Sequence, residues 1–123
     1  MDWSKYPNFN RDEFDCKHTG KNEMKPEFMQ KLQELRDLYG QPMTITSGYR
    51  DITHPVEAKK AQGGVHTLGI ACDVACNGNE AFLLMKYAVI VGFTGIGVSQ
   101  KGSRRFIHLD IHEGTPRPNI WSY

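Results

Sequence analysis

The sequence predicts a small α+β domain, an antiparallel-rich sheet with helices packed on one face. Three observations point there. A chain of 123 residues has room for one hydrophobic core and no second sizeable one. Helical periodicity and strand-like alternation both occur along it. They do not follow one another in the regular βαβ beat of a parallel sheet. The composition, 39% hydrophobic, 11% aromatic and 24% charged, excludes collagen-like, coiled-coil and disordered chains. Residues 1–123 therefore read as a single domain, with residues 1–23 as an irregular N-terminal segment packed on it.

The elements follow in order. The first twenty-odd residues scatter Pro7, Asn8, Asn10 and Gly20 among Trp3, Tyr6, Phe9 and Phe14, without a period. From Pro26 the pattern turns helical: Phe28, Leu32, Leu35 and Tyr39 share one face while Lys31, Gln33, Glu34 and Asp37 lie elsewhere. Pro26 suits a first helical turn, Gly40 a C-terminal cap, and Pro42 blocks continuation. Residues 43–47 alternate as a strand ending at Gly48. Residues 51–69, with Pro55, Gly63, Gly64 and Gly69, are expected to be loop with one short helix. Residues 70–76 alternate again. Asn79 is the expected N-cap of a helix over 80–91, whose nearly all-apolar surface predicts deep burial. Gly92 ends it. Residues 95–99 and 105–111 read as two strands joined by a turn through Gln100-Lys101-Gly102. The tail holds Pro116 and Pro118 and ends with Trp121 and Tyr123.

Fifteen Lys+Arg against fourteen Asp+Glu leave a formal charge of +1, which offers no basic footprint for nucleic acid. No apolar run reaches the roughly 20 residues of a membrane span, and residues 81–93 are interrupted by Lys86. The opening Met1-Asp2-Trp3-Ser4-Lys5 lacks the apolar core of a signal peptide. The expectation is a soluble, unexported protein with no nucleic-acid or membrane partner. Cys16, Cys72 and Cys76 are too few for a disulfide scaffold and read as reduced cytosolic thiols. C-x3-C with one distant cysteine also lacks the paired CxxC pattern of a Cys-rich zinc site.

The two central alternating segments carry the chemistry. Side chains alternate across a strand. In residues 106–112, Ile107, Leu109 and Ile111 form one face, and His108, Asp110 and His112 the other. In residues 70–76, Ile70, Cys72, Val74 and Cys76 are the apolar face, and Asp73 sits between Ala71 and Ala75 on the opposite one. An unpaired carboxylate there would cost several kcal/mol, so Asp73 needs a cation, a metal or donors. Seven residues upstream is His66, with Gly69 between them to turn the chain. His66, Asp73 and His108 supply two imidazoles and a carboxylate, with a fourth position free: the ligand set of a catalytic zinc site.

These residues resemble a family, the zinc peptidases of bacterial cell walls. It includes D-Ala-D-Ala carboxypeptidases and phage L-Ala-D-Glu endopeptidases, and shares a metal-site fold with the hedgehog signalling domain. Ser47-Gly48-Tyr49-Arg50 is similar to the family's first motif. His66-Thr67-Leu68-Gly69-Ile70-Ala71-Cys72-Asp73 matches most of the second, and Phe106-Ile107-His108-Leu109-Asp110 the third. Phe14-Asp15-Cys16-Lys17 and the stretch from Gly92 to Gly97 look like the small phage and bacterial members. The resemblance runs from about residue 9 to the end. It implies one Zn2+ held by His66, Asp73 and His108, with Arg50 binding a substrate carboxylate or the carbonyl oxygen as charge develops. Tyr49, Trp121 and Tyr123 are candidates for lining a groove for the peptide, with core packing as the commoner fate of aromatics in a small domain.

Two departures stand out. Gly64 replaces the family's Ser two residues before the first zinc His, so the partners of that hydroxyl must be satisfied otherwise. The positions before the last ligand that serve as general base in some relatives are Arg105 and Phe106 here. Asp110 is the expected base. Its alternative is a carboxylate that orients His108. His112 and Glu113 are held in reserve, and His18 and His54 read as loop residues outside the site.

The expected activity is zinc-dependent hydrolysis of an amide bond in a peptidoglycan stem peptide, by carboxypeptidase or endopeptidase action. The expected setting is a monomer, cytoplasmic until released to the cell wall, as with a phage endolysin. The alternative is a non-catalytic, zinc-stabilised binding module of the hedgehog type.

Overall fold

A computed structural model describes residues 1–60 and 63–123. Part of the loop expected over 51–69 falls on residues 61 and 62, which lie outside the described residues. Helix α1 (Pro26–Tyr39) has the expected bounds: Pro26 opens it, and Gly40 closes it at φ 75° with its N–H donating to the Arg36 carbonyl. Its apolar stripe, Phe28, Leu32, Leu35 and Tyr39, is buried. Each such side chain contributes roughly 1.5–3 kcal/mol by leaving water. Strand β1 (Thr44–Ser47) follows, then the one-turn helix α2 (Pro55–Ala58), a 3-10 turn at Val65–Leu68, and strand β2 (Ala71–Ala75).

Helix α3 (Gly78–Val91) begins two residues before the expected start. Asn77, not Asn79, takes the extended N-cap conformation, and its carbonyl accepts from Ala81. The deep burial expected of α3 is also corrected. Ala81, Leu84 and Ala88 are buried, but Phe82, Val89 and Ile90 are more than 60% exposed. The reason is position: the helix packs against α1 on one flank and the sheet beneath, and among the described residues no element covers its outer side.

Strands β3 (Gly95–Ser99) and β4 (Phe106–Asp110) form the expected hairpin. The tail, to which the sequence pattern assigns no element, contains a fifth strand, β5 (Asn119–Ser122), paired in parallel with β3. Pro116 and Pro118 lie before it, so they cost it no ladder bond. The sheet order is β1-β2-β4-β3-β5, with three antiparallel pairings and one parallel. This is the α+β architecture read from the sequence.

The sheet separates two environments. Ile45, Cys72, Val74, Ile96, Ile107 and Leu109 join α1 and α3 in one buried cluster. Tyr6, Phe9, Phe14 and Cys16 of the N-terminal segment belong to the same cluster, with edge-to-face contacts such as Phe9–Phe14 at 5.7 Å between centroids. The opposite face carries a row set by register. Ser47 lies beside Asp73, Asp73 beside His108, His108 beside Gly97, and Gly97 beside Trp121, one residue from each strand.

Candidate metal centre

Asp73 and His108 are direct cross-strand partners on the two central antiparallel strands. His66 arrives from the 3-10 turn, after which Gly69, at φ 72°, swings the chain into β2. His66 Nε2 is 3.4 Å from Asp73 Oδ1, and His108 Nδ1 is 3.2 Å from the same oxygen. One ligand-type atom from each of the three lies within 4.8 Å of the others, and all three residues are buried. The ring nitrogens facing away are also engaged: His66 Nδ1 is 2.8 Å from the Gly48 carbonyl, and His108 Nε2 is 2.7 Å from Asp110 Oδ2. A hydrogen bond on the far nitrogen leaves the near one with a lone pair for a metal. The donor set, its burial and these tautomers fit a divalent cation such as zinc.

The carboxylates are held ionised. Burial pushes Asp73 upward, but its close contacts with the His108 and His66 imidazoles outweigh it and hold the carboxyl well below its usual range. Burial lowers His108, yet hydrogen bonds to Asp110 and Asp73 bring it above the ordinary imidazole value.

Asp110 sits behind His108, not in the cleft. It is fully buried, and its two oxygens face four donors: His108 Nε2, Arg117 Nε at 3.1 Å, Arg117 Nη2 at 2.8 Å and the His112 N–H at 3.1 Å. That is the surrounding of an orienting carboxylate. The base role expected for it requires an oxygen open to water, and Asp110 presents none. The reserve candidates lie elsewhere. Glu113 lines a separate cavity with Lys25, Lys31 and Ile70, and His112 meets the site through its backbone N–H.

Arg50 is positioned by three contacts. Its Nε donates to Ser47 Oγ at 3.1 Å, Nη1 to Glu57 at 3.1 Å and Nη2 to Asp73 Oδ2 at 3.5 Å. Glu57 is itself buried and also accepts from the Gly64 N–H at 2.7 Å and from Lys60. This resolves the Gly64 departure: a Cβ there would come within 2.9 Å of Lys60 Nζ, so the lysine ammonium occupies the space of the missing side chain. Tyr49, expected to line the groove, lies outside it. Its ring is in the core and its hydroxyl donates to Glu23 Oε2 at 2.7 Å.

Trp121 does line the cleft, against the His108 ring at 5.2 Å between centroids. Gly97 makes this possible, because a Cβ there would lie 2.7 Å from the indole Nε1. The cleft over the metal ligands has a volume of about 480 Å³, walled by Arg50, Lys60, Arg117, Trp121 and Tyr123. A neighbouring hollow of about 550 Å³ shares Arg50, Asp73 and Phe106 and is also lined by Arg104 and Arg105. Among the described residues lining both, Asp73 is the only carboxylate.

Residues 6–110 match the family model described as Peptidase M15. The chain belongs to the peptidase M15 family. No match was found among curated proteins. In this M15 peptidase the matched region contains all three candidate ligands and Arg50, and it ends on Asp110. Arg117, Trp121 and Tyr123 therefore come from beyond it. Sequence reasoning missed the roles of Arg117, Glu57 and Lys60. Arg117 stands between two prolines with no period to place it, and Glu57 and Lys60 lie in a segment read as loop. No helix among the described residues is long and apolar enough to cross a membrane.

Proposed function

We propose that the protein is a zinc-dependent peptidase, a single catalytic domain that hydrolyses an amide bond in peptidoglycan stem peptides. The observation that carries this reading is the meeting of His66, Asp73 and His108 at the base of an open cleft in an M15 chain. His66 Nε2, Asp73 Oδ1 and His108 Nδ1 are the atoms that would hold the ion. Zinc bound there supplies Lewis acidity, lowering the pKa of water and polarising a carbonyl.

The chain's own residues do the rest. Arg50, held between Ser47, Glu57 and Asp73, presents a fixed cation to the cleft for a carbonyl oxygen or a substrate carboxylate. Trp121 and Tyr123 offer aromatic walls to the peptide. Asp110 keeps His108 in the tautomer that leaves Nδ1 free. The wider setting, a monomer released to the cell wall in the manner of a phage lysis enzyme, rests on the likeness of the motifs to the small phage members.

One observation favours a second reading, the non-catalytic zinc module. Among the described residues that line the cleft, Asp73, itself a ligand, is the only one with a side-chain carboxylate, which leaves no separate carboxylate there to act as base. Incubation of the zinc-loaded protein with purified cell walls decides between them. Release of soluble peptide amines is expected, and mass analysis of the fragments from a defined muropeptide then assigns the bond, since each cleavage gives its own product mass. No release by protein with stoichiometric zinc makes the module reading correct.

A further inference from the structure

The last strand, paired to β3 at the edge of the sheet, and the turn before it form a strap along that edge. Two of its side chains converge on one metal ligand, Arg117 through Asp110 and Trp121 directly. Arg117 grips Asp110 through Nε and Nη2, at 3.1 and 2.8 Å, one contact to each carboxylate oxygen. The same Asp110 Oδ2 is 2.7 Å from His108 Nε2. Trp121 packs against both ends of this chain of contacts, with the Arg117 guanidinium carbon 4.9 Å from its ring centroid and the His108 ring at 5.2 Å. The opposite side is equally closed. Gly95, the neighbour of Asp110 on β3, has no side chain, and the carboxylate fills the space one would take.

We propose that Arg117 is a positioning residue for the metal centre, acting through Asp110 to fix the ring of His108 with Nδ1 turned into the cage. A planar guanidinium gripping both oxygens sets the plane of the carboxylate, which a single donor does not. The plane of the carboxylate sets the direction of the lone pair that meets His108 Nε2, and so the rotation of the imidazole. Arg117 is also the only arginine or lysine paired with Asp110 among the described residues, and Asp110 is fully buried. Without Arg117 the carboxylate loses that fixed charge and its two-pronged restraint, and its hold on the plane of the His108 ring loosens. The residue lies beyond the region matched to the family, residues 6–110.

The inference rests on the reading that His66, Asp73 and His108 hold zinc, and the test separates the two. Competition with a chelator gives the zinc Kd of the wild type, Arg117→Ala, Arg117→Lys, Asp110→Ala and the double variant Arg117→Ala/Asp110→Ala. Arg117→Ala is expected to weaken zinc by about 10–100-fold, as loss of an outer hydrogen-bond partner does. Arg117→Lys should recover part of this, because it returns the charge without the two-pronged grip. The double variant should bind no more weakly than Asp110→Ala alone, since Arg117 acts only through Asp110. In cobalt-substituted protein, the visible bands of Arg117→Ala should move while those of Arg117→Lys stay closer to wild type.

An Arg117 that merely packed the strap would lower the melting temperature and leave the Kd of the folded protein and the cobalt bands unchanged, which overturns the proposal. Additive losses in the double variant overturn it too, as does wild-type zinc affinity with a raised KM, which would make Arg117 a substrate contact. A wild type that takes up no stoichiometric zinc defeats the metal-site reading itself.

Discussion

Replacing Gly95 by alanine adds one methyl group on the face that carries the metal ligands. Its Cβ would fall well inside 3.0 Å of the Asp110 carboxylate carbon and both oxygens. Asp110 cannot swing aside freely, because His108, Arg117 and the His112 N–H hold it in a site without solvent. Two routes of relief exist. Moving β3 away from β4 is overpacking strain, about 1–3 kcal/mol. Displacing the carboxylate breaks a buried ion pair, about 3–5 kcal/mol. The cheaper route dominates, so the expected loss is about 1–3 kcal/mol of a total stability of roughly 5–15 kcal/mol.

Gly102→Ala is the control. Gly102 has φ 72° and nothing within 4 Å of an added Cβ, so only left-handed backbone strain applies, about 1–2 kcal/mol. Equilibrium urea unfolding of both variants gives midpoints and slopes. A Gly95→Ala protein whose stability lies within about 0.5 kcal/mol of wild type refutes the claim that the carboxylate is locked in place, since that is below the low end of overpacking strain.

His66→Ala should lose stoichiometric zinc, and its melting temperature should ignore a chelator that lowers that of wild type; ligand linkage predicts about 2.7 kcal/mol of metal stabilisation at 100 times Kd. For Glu57, burial raises the carboxyl, but the Gly64 N–H, Arg50 and Lys60 hold it below its ordinary 4.5. Its contribution is therefore complete above about pH 4.5 and disappears as pH falls through the lower folded value. The stability gap between wild type and Glu57→Gln should stay constant from pH 6 to 8 and shrink below pH 4.5 in urea unfolding. Cys16, Cys72 and Cys76 are free and buried, and burial pushes the Cys76 thiol up to about 11. A thiol reagent should find none reactive in the native protein within minutes and all three in denaturant.

The site was legible in the sequence where the period is two. Asp73 stands out between Ala71 and Ala75 because a charge on a small-residue face needs partners, and His108 and Asp110 share a face by simple alternation. Helix α1 was legible to the residue because proline and glycine mark its ends. What lay hidden depended on contacts between distant segments. Whether Asp110 is base or orienter turns on Arg117, seven residues away around a proline-bracketed turn. Tyr49 sits in a family-like motif but points into the core, and no local pattern shows which side of β1 the chain leaves from. The exposed face of α3 was hidden for a related reason. Hydropathy shows that a helix is apolar all round but not whether the chain has an element left to cover it.

The order of the sheet has a kinetic consequence. Asp73 and His108 ride on β2 and β4, each bonded to a neighbour on both sides, while Trp121 rides on β5, a four-residue edge bonded on one. Edges open at lower free energy than interior strands. Native-state hydrogen exchange should then show β5 amides exchanging through brief local openings, with β2 and β4 exchanging only on global unfolding. The wall of the cleft would come and go on a faster clock than the cage it shields.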